Sequence, residues 1–329
     1  MRSIPDAQTF EFDRDDVERA AAQVHAAMNA TPQYCWPLLS ERVGCEVWVK
    51  HEDCTPVGAF KVRGGITYFN RLSTRNVRQV VCATRGNHGI SIAFNGTRIG
   101  VRATIFVPRG NSIEKNDAMR SWGAEVIEQG EDFQQSLEYA ADYAAARNVH
   151  FVPSFDAALV VGVASLGLEF LSSVELDIVY APIGLGSGLA GLLAARKALN
   201  VRTEVVGVVA AGARAYAESM RAQRLVELPV STFADGMACR TPNAGALEFF
   251  WKASPRMVEV SDDEIAEAMR LYFYATHHVA EPAGAASLAA AMREPLRKSG
   301  KRIGVILSGA NVDTDLYSSV LRGQTPHAD

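Results

Sequence analysis

Cysteine is scarce in this sequence, and its few copies stand apart from one another. The 329 residues contain five cysteines, and no two form a Cys-x-x-Cys pair. An odd set without pairing argues against a disulfide framework and predicts a reduced, cytoplasmic protein. We expect buried structural thiols rather than nucleophiles or zinc ligands, because no clustered histidine accompanies them. The five are Cys35, Cys45, Cys54, Cys82 and Cys239.

Long apolar runs and concentrated positive charge are also missing. No stretch reaches the roughly 18 uninterrupted apolar residues of a membrane span. Residues 1–10 have no basic segment followed by an apolar core, so we expect no secretory signal. The formal net charge is -4 and there is no basic run. We therefore expect neither a nucleic acid nor a membrane as a partner.

The sequence does contain enough apolar material for a large core. Hydrophobic residues make up 48% and charged residues 21% of the chain, as in an ordinary soluble globular protein. A chain of 329 residues exceeds the size at which single cores stop growing. Two lobes are therefore expected.

Strand and helix patterns alternate along most of the chain, which predicts parallel sheets covered by helices. The predicted strands lie at 45–50, 77–83, 102–107, 124–129, 151–153, 178–181, 205–209 and 303–307. The predicted helices lie at 13–28, 61–72, 87–95, 113–121, 132–147 and 162–171, with another ending at 199. Ser261 and Glu264 form a capping box that predicts a helix to about residue 277. Residues 221–255 are expected to form surface loops and short helices.

Lys61 has an unusual setting for a lysine. Its neighbours are Phe60 and Val62, with Gly58 and Gly64 on either side. These neighbours predict that the amine faces a cleft, where partial desolvation lowers its pKa and makes it a nucleophile able to form Schiff bases. The alternative is a glycine-flanked helix turn whose lysine extends to solvent, and the motif alone does not decide between them.

A glycine-rich turn follows the predicted strand at 178–181 and precedes a helix. It reads Gly184, Leu185, Gly186, Ser187 and Gly188. Backbone N–H groups can converge in such a turn, and the helix N-terminus adds partial positive charge, so the turn suits one phosphate group. The ending of a P-loop and the spacing of a dinucleotide fingerprint are both absent. A tight turn needed only for packing is the alternative.

Two more strand-end segments carry polar groups. Residues 84–89 read Thr-Arg-Gly-Asn-His-Gly, and their N–H groups suit a carboxylate. A lone histidine such as His88 is more often packed or capping than a base. Residues 308–311 read Ser-Gly-Ala-Asn, where a serine could hydrogen-bond a ring nitrogen. Ligands in open α/β sheets bind at the carboxyl ends of strands, so the three segments and Lys61 together predict one site.

Five motifs occur in a recognisable order along the chain. They are Ala-Phe-Lys-Val-Arg-Gly at 59–64, Gly-Asn-His-Gly at 86–89, the turn at 184–188, Glu-Pro-Ala-Gly-Ala at 281–285 and Ser-Gly-Ala-Asn at 308–311. This order resembles the serine/threonine dehydratase and serine racemase family. The family is the tryptophan-synthase-β-like branch, fold type II, of the pyridoxal-phosphate enzymes. The resemblance runs from about residue 31 to residue 311.

The resemblance implies pyridoxal 5′-phosphate as the cofactor and a role for each motif. It assigns the Schiff base to Lys61, the phenolic oxygen to Asn87, the phosphate to the turn at 184–188 and the pyridine nitrogen to Ser308. Phe60 and Glu281 are also expected at the cofactor. The substrate carboxylate is expected at Thr84, Arg85, Gly86, Asn87 and His88.

The resemblance also implies an architecture, a two-lobed α/β fold with the smaller lobe inserted into the larger. Residues 75–153 are expected to form the small lobe that binds the substrate carboxylate. Residues 1–74 and 154–329 are expected to form the large cofactor-binding lobe. A homodimer is a further expectation from the family.

The implied activity is β-elimination of a β-hydroxy amino acid, such as L-threonine, L-serine or a 3-substituted serine, to a 2-oxo acid and ammonia. Lys61 would take the α-proton while the cofactor ring spreads the resulting negative charge. The alternatives are an amino-acid racemase or a β-replacement synthase on the same Schiff base. A cofactor-binding protein without catalysis is a third alternative.

Two positions near the expected site depart from the family pattern. Ala59 replaces the usual serine before Phe-Lys. Arg85 stands where serine is common in racemases and alanine in dehydratases. A racemase needs a second acid/base, and a permanently charged guanidinium serves poorly, so Arg85 favours elimination. Arg85 either contacts the substrate, for instance a second carboxylate, or forms a surface salt bridge or a phosphate contact.

Two further departures concern metal and regulation. Residues 207–214, after the glycine turn, contain no carboxylate, whereas cation-binding family members carry acidic residues there. Hard cations need oxygen ligands, so we expect no metal site. The chain ends soon after Asn311, so we expect no C-terminal regulatory domain.

Overall fold

The computed structural model describes residues 10–296 and 299–327. The segment considered above for a secretory signal lies outside the described residues except for Phe10. Within the described ranges, no helix is long and apolar enough to cross a membrane.

Two sheets, parallel apart from one edge pairing, form the framework of the fold. The strands are β1 (Gln33–Cys35), β2 (Glu46–His51), β3 (Gln79–Ala83), β4 (Arg102–Val107), β5 (Glu125–Glu128), β6 (His150–Phe151), β7 (Ile178–Pro182), β8 (Glu204–Ala210), β9 (Arg256–Val260) and β10 (Arg302–Leu307). One sheet has the order β1-β2-β10-β7-β8-β9, and the other has β5-β4-β3-β6. Among the strands of the described residues, only the β1–β2 pairing is antiparallel. The predicted parallel sheets are therefore confirmed.

Helices cover both sheets. They are α1 (Arg14–His25), α2 (Pro37–Val43), α3 (Lys61–Ser73), α4 (Asn87–Ile99), α5 (Ile113–Ser121), α6 (Phe133–Arg147), α7 (Ala157–Ser173), α8 (Ser187–Leu199), α9 (Ala215–Ala222), α10 (Ala244–Ala253), α11 (Asp262–Thr276), α12 (Pro282–Arg293) and α13 (Thr314–Leu321). The predicted capping box is present at α11, where Ser261 and Glu264 exchange side-chain to backbone hydrogen bonds.

Sequence patterns did not predict several of the elements, namely β1, α2, α9, β9, α12 and α13. Helix α12 shows why. It is rich in alanine and buried over ten of its twelve residues, so no polar face gives it a helical period.

The expectation of surface loops at 221–255 is wrong for part of that range. Phe233, Ala234, Met237 and Cys239 are buried in the hydrophobic cores. Their neighbours line the cavity described below, so this segment is an internal wall of the molecule.

The expectation of uniformly buried thiols is also only partly right. Cys82 and Cys239 are buried, Cys35 and Cys45 are half-buried, and Cys54 is exposed. Cys54 belongs to a short 3-10 helix, Glu52–Cys54, that follows β2 directly.

A fully buried guanidinium joins α3 to α7. Arg63 donates to the Glu52 carboxylate at 2.6 and 2.9 Å and to the Glu169 carboxylate at 2.6 and 2.9 Å. Lys50 donates to Glu169 at 2.6 Å. Burial alone would raise the pKa of Glu169, but Arg63 and Lys50 lower it to about 2. Glu169 is therefore an ionised partner that holds two buried cations in place.

We predict that Glu169→Gln lowers the free energy of unfolding by about 3–5 kcal/mol, because it leaves two buried cations undercompensated. Chemical denaturation at neutral pH measures the loss. The folded-state pKa of Glu169 lies below its ordinary value of 4.5. Its stabilisation is therefore complete above about pH 4.5 and is lost as pH falls toward about 2. The difference between wild type and variant should shrink over the same window.

Glu267→Gln is the matched control, since Glu267 pairs with Arg42 at 2.6 Å with both side chains about half exposed. An exposed pair contributes about 1 kcal/mol or less. Equal losses in the two variants would contradict the structural role given to the buried pair.

Candidate active site

A cavity of about 600 Å³ lies where strands of both sheets end. Thr84 follows β3, Pro182 ends β7 and Ser308 follows β10, and all three line the cavity. Every residue that the sequence predicted for the cofactor or the substrate lines it as well. Motifs far apart in the chain are thus brought to one place, while the role of each residue stays a prediction.

Lys61 is the first residue of α3 and its amine lies inside the cavity. Its Nζ donates to the Ser187 hydroxyl at 2.8 Å and lies 5.0 Å from the centre of the Phe60 ring. Burial lowers the pKa of the amine to about 8, and the Glu281 carboxylate opposes that shift. The amine therefore donates to the glycine turn inside the cavity, and the alternative of a lysine that extends away from the protein into solvent does not describe it.

The glycine turn at 184–188 leads into the N-terminus of α8. Gly186 has a left-handed φ of 99° and supplies no side-chain cap, which leaves N–H groups of the first turn free for a ligand. A Cβ at Gly184 would lie 2.2 Å from the Gly236 carbonyl oxygen, so only glycine fits there. Free N–H donors, a helix N-terminus and a nearby amine fit the cofactor phosphate.

The segment at 84–89 forms a second helix N-terminus. Gly86 precedes α4 and contributes no side-chain cap. The Thr84 hydroxyl accepts from the N–H groups of Gly86 at 2.9 Å and Gly89 at 3.3 Å, which fixes the turn. The partial positive charge at the start of α4 therefore faces the cavity and suits a carboxylate.

His88 lies in this turn but carries no charge at neutral pH. Its ring is buried, and Nε2 has no hydrogen-bond partner among the described residues. Burial and the nearby positive charge of Lys61 lower its pKa to about 3. Any contact of its side chain with a substrate would therefore be that of a neutral ring.

Asn87 is oriented by two neighbours. Its Oδ1 accepts from Asn311 Nδ2 at 2.8 Å, and its own Nδ2 donates to the two Glu281 carboxylate oxygens at 2.8 and 3.0 Å. Burial raises the pKa of Glu281 to about 7, although Lys115 and Lys61 act in the opposite direction. In the structure, the amide that the resemblance assigns to the cofactor donates to Glu281.

Backbone hydrogen bonds join the Lys61 segment to the Ser308 segment. Ala59 and Gly309 form an antiparallel bridge, and the Phe60 N–H donates to the Ser308 carbonyl at 3.0 Å. The lysine and the serine are therefore held in a fixed relation, as a common cofactor would require.

An ion pair across the cavity was not predicted. Lys115 of α5 is buried and donates to the carboxylate of Asp235, in a short 3-10 helix at Asp235–Met237. The two residues come from segments beside different sheets. Neither stands in a motif, so no local signal could have paired them.

A second polar cluster lies beside the site. His51 Nδ1 and His278 Nδ1 approach the two oxygens of Asp53 at 3.2 and 2.5 Å, and Cys54 Sγ lies 3.8 Å from Asp53. The statement that no clustered histidine accompanies Cys54 is therefore wrong. Trp36 Nε1 donates to His51 Nε2 at 3.0 Å. That bond leaves the proton of neutral His51 on Nδ1, where it faces Asp53 instead of offering a lone pair to a cation.

Comparison with known proteins agrees with this geometry. The pyridoxal-phosphate dependent enzyme family matches residues 25–309. The chain is 30% identical over 313 residues to the L-threonine ammonia-lyase of Thermotoga maritima. The matched region covers 93% of this chain and 77% of that protein. It is also 30% identical over 304 residues to a biosynthetic L-threonine dehydratase of Haemophilus influenzae. That match covers 90% of this chain but only 59% of the relative.

A solved structure gives the same result for the fold. A pyridoxal 5′-phosphate-dependent aspartate racemase superimposes with a TM-score of 0.87 at 26% identity, over 94% of this chain and 98% of that one. The two-lobed α/β architecture predicted from the motifs is confirmed, as is pyridoxal 5′-phosphate as the cofactor. The chain belongs to the pyridoxal-phosphate dependent enzymes, in the fold type II branch of the serine and threonine dehydratases.

Proposed function

We propose that this enzyme is an ammonia-lyase that converts a β-hydroxy amino acid, such as L-threonine or L-serine, to a 2-oxo acid and ammonia. The observation that carries the proposal is the Lys61 amine, which lies in the cavity with a pKa lowered to about 8. The similarity to proteins named threonine ammonia-lyase and threonine dehydratase supports it.

The residues present fit the cofactor. The turn at 184–188 and the start of α8 would hold its phosphate, Lys61 would attach it covalently and Ser308 would face its ring nitrogen. Phe60, Asn87 and Glu281 would surround the ring. When bound, the cofactor withdraws electrons from the substrate α-carbon and makes its proton acidic.

Lys61 supplies the base in this proposal. An amine with a pKa of about 8 is partly neutral near physiological pH, so it can accept the α-proton without a large energetic penalty. Ser187 accepts a hydrogen bond from Nζ at 2.8 Å and so aims the amine along the cavity. The free N–H groups at the start of α4 would hold the substrate carboxylate.

Racemisation is the second candidate, since the chain is similar to an aspartate racemase. It needs a second group that exchanges a proton with the α-carbon. The resemblance associates that role with the position after Thr84, and Arg85 stands there. A guanidinium does not release its proton in proteins, so elimination is the better supported reaction.

The lobe boundaries at 75 and 153, a homodimer and a cytoplasmic location stay part of this proposal. The four-stranded sheet, which runs from β3 to β6, supports the inserted lobe.

We predict that the cofactor-loaded protein releases 2-oxo acid and ammonia from L-threonine or L-serine. Lys61→Ala should lower kcat by about 10³-fold or more, because one residue serves as base and attachment point. Coupled assays for ammonia and 2-oxo acid measure the activity. Mass spectrometry after borohydride reduction should find the cofactor on Lys61.

Lys197→Ala, on the exposed side of α8, is the control and should behave as wild type. Cofactor attached to a different lysine, or full activity in Lys61→Ala, would refute the assignment.

We also predict that Glu281→Gln shifts the pH dependence of cofactor uptake toward lower pH. The Glu281 carboxylate accumulates above about pH 7 and raises the pKa of Lys61. A neutral glutamine removes that influence, so the reactive neutral amine is present at lower pH. The rate at which cofactor-free protein takes up pyridoxal phosphate, followed by absorbance, measures the shift.

Glu131→Gln is the matched control, since Glu131 also lines the cavity but pairs with the exposed Arg109. A shift to higher pH, or none, in Glu281→Gln would show that Glu281 does not act on Lys61.

A further inference from the structure

Two arginines on the cavity wall have no side-chain partner in the described part of the chain. Arg85 follows β3 and Arg240 follows the short helix at Asp235–Met237, and both are exposed and line the cavity. No hydrogen bond or ion pair joins either guanidinium to another described residue. The surface salt bridge considered for Arg85 is therefore not found among these residues.

The acidic groups that share the cavity are already engaged. Asp235 pairs with Lys115, and Glu131 pairs with Arg109 at 2.9 Å. Asp132 caps α6 by accepting from the Gln135 N–H at 2.8 Å. Glu281 accepts from Asn87. Among the described residues that line the cavity, the charged side chains without a partner are therefore Arg85 and Arg240.

The position of Arg85 defines what it can reach. It stands one residue before Gly86, and the first two residues of the helix that follows, Asn87 and His88, line the cavity and have free N–H groups. A carboxylate held at that helix start places the rest of a small amino acid beside Arg85. A guanidinium matches a carboxylate with two parallel N–H donors, a geometry that a methyl group or a hydrogen cannot use.

We infer that Arg85, assisted by Arg240, binds a second carboxylate of the substrate, so that the preferred substrate is a 3-hydroxy amino dicarboxylic acid such as 3-hydroxyaspartate. This inference rests on the proposed function and names its substrate class. Arg85 then selects for the group on the β-carbon, while the start of α4 holds the carboxylate common to all amino acids.

The reaction balances without a further reactant. The Cα–H and Cβ–O bonds break, a Cα=Cβ bond forms and one water leaves. The resulting enamine gains a proton at the β-carbon and loses one from its nitrogen, which converts it to an imine. One water then hydrolyses the imine to oxaloacetate and ammonia, with no net oxidation or reduction.

Binding is tested separately from turnover. Isothermal titration calorimetry of the cofactor-loaded protein with each enantiomer of aspartate and of alanine compares ligands that differ by the second carboxylate and carry no leaving hydroxyl. We expect aspartate to bind at least tenfold tighter than alanine. Arg85→Gln should weaken the binding of aspartate about 10- to 100-fold, as expected for a lost charge-assisted pair. The affinity for alanine should change less than about threefold.

Two variants complete the set. Arg240→Gln should also weaken the binding of aspartate. Arg202 is exposed and precedes β8, at the amino-terminal end of that strand, whereas the cavity lies where strands end. Arg202→Gln should therefore leave the affinity for both ligands unchanged. Equal affinity for aspartate and alanine in wild type would overturn the inference. Equal weakening of both ligands by Arg85→Gln would also overturn it, because Arg85 would then act on the shared carboxylate.

Turnover distinguishes this inference from the proposed function. The expected result is a kcat/KM for 3-hydroxyaspartate above those for serine and threonine, with the advantage lost in Arg85→Gln. Turnover of serine and threonine with a lower kcat/KM for 3-hydroxyaspartate would overturn the inference alone. Selective aspartate binding without turnover of any hydroxy amino acid would overturn the proposed function and leave the second-carboxylate site supported.

Discussion

The position of Lys61 depends on a buried arginine, Arg63, two residues further along the same helix. Successive residues of an α-helix are rotated by about 100°, so Lys61 and Arg63 point to nearly opposite sides of α3. Arg63 is fixed between Glu52 and Glu169, and Lys61 therefore faces the cavity. Buried ion pairs are costly to desolvate and are weak evidence for net stability. Here the network sets the rotation and depth of the helix that carries the amine.

The other parts of the site are tied to that helix by hydrogen bonds rather than by separate supports. The bridge between Ala59 and Gly309 joins the lysine segment to the serine segment. Asn311 then holds Asn87, which in turn donates to Glu281. A displacement of one segment is therefore passed to the next. These bonds, together with the one from Lys61 to Ser187, connect all five motifs in the folded chain.

Sequence patterns predicted the elements whose signals are local. Strand β4 and helix α5 have the predicted bounds, since a buried run and a serine cap mark them. The strand-end loops were predicted because glycine and polar residues follow apolar runs. Sequence patterns did not predict contacts between distant segments. Examples are the ion pair of Lys115 with Asp235 and the cluster that brings Cys54 close to His278. Sequence patterns also failed for α12, whose burial on all sides removes any periodic contrast.

The parallel pairing of β2 with β10 limits the order in which the parts of the protein can fold. Strand β2 comes second in chain order and β10 comes last among the described strands, yet the two are neighbours inside the six-stranded sheet. Pairing across such a sequence separation is slow, because a long loop must close first. During synthesis, β2 leaves the ribosome long before its partner exists, and one of its edges stays open to other chains. The cavity, which Ser308 lines directly after β10, can therefore form only after β10 has been synthesised.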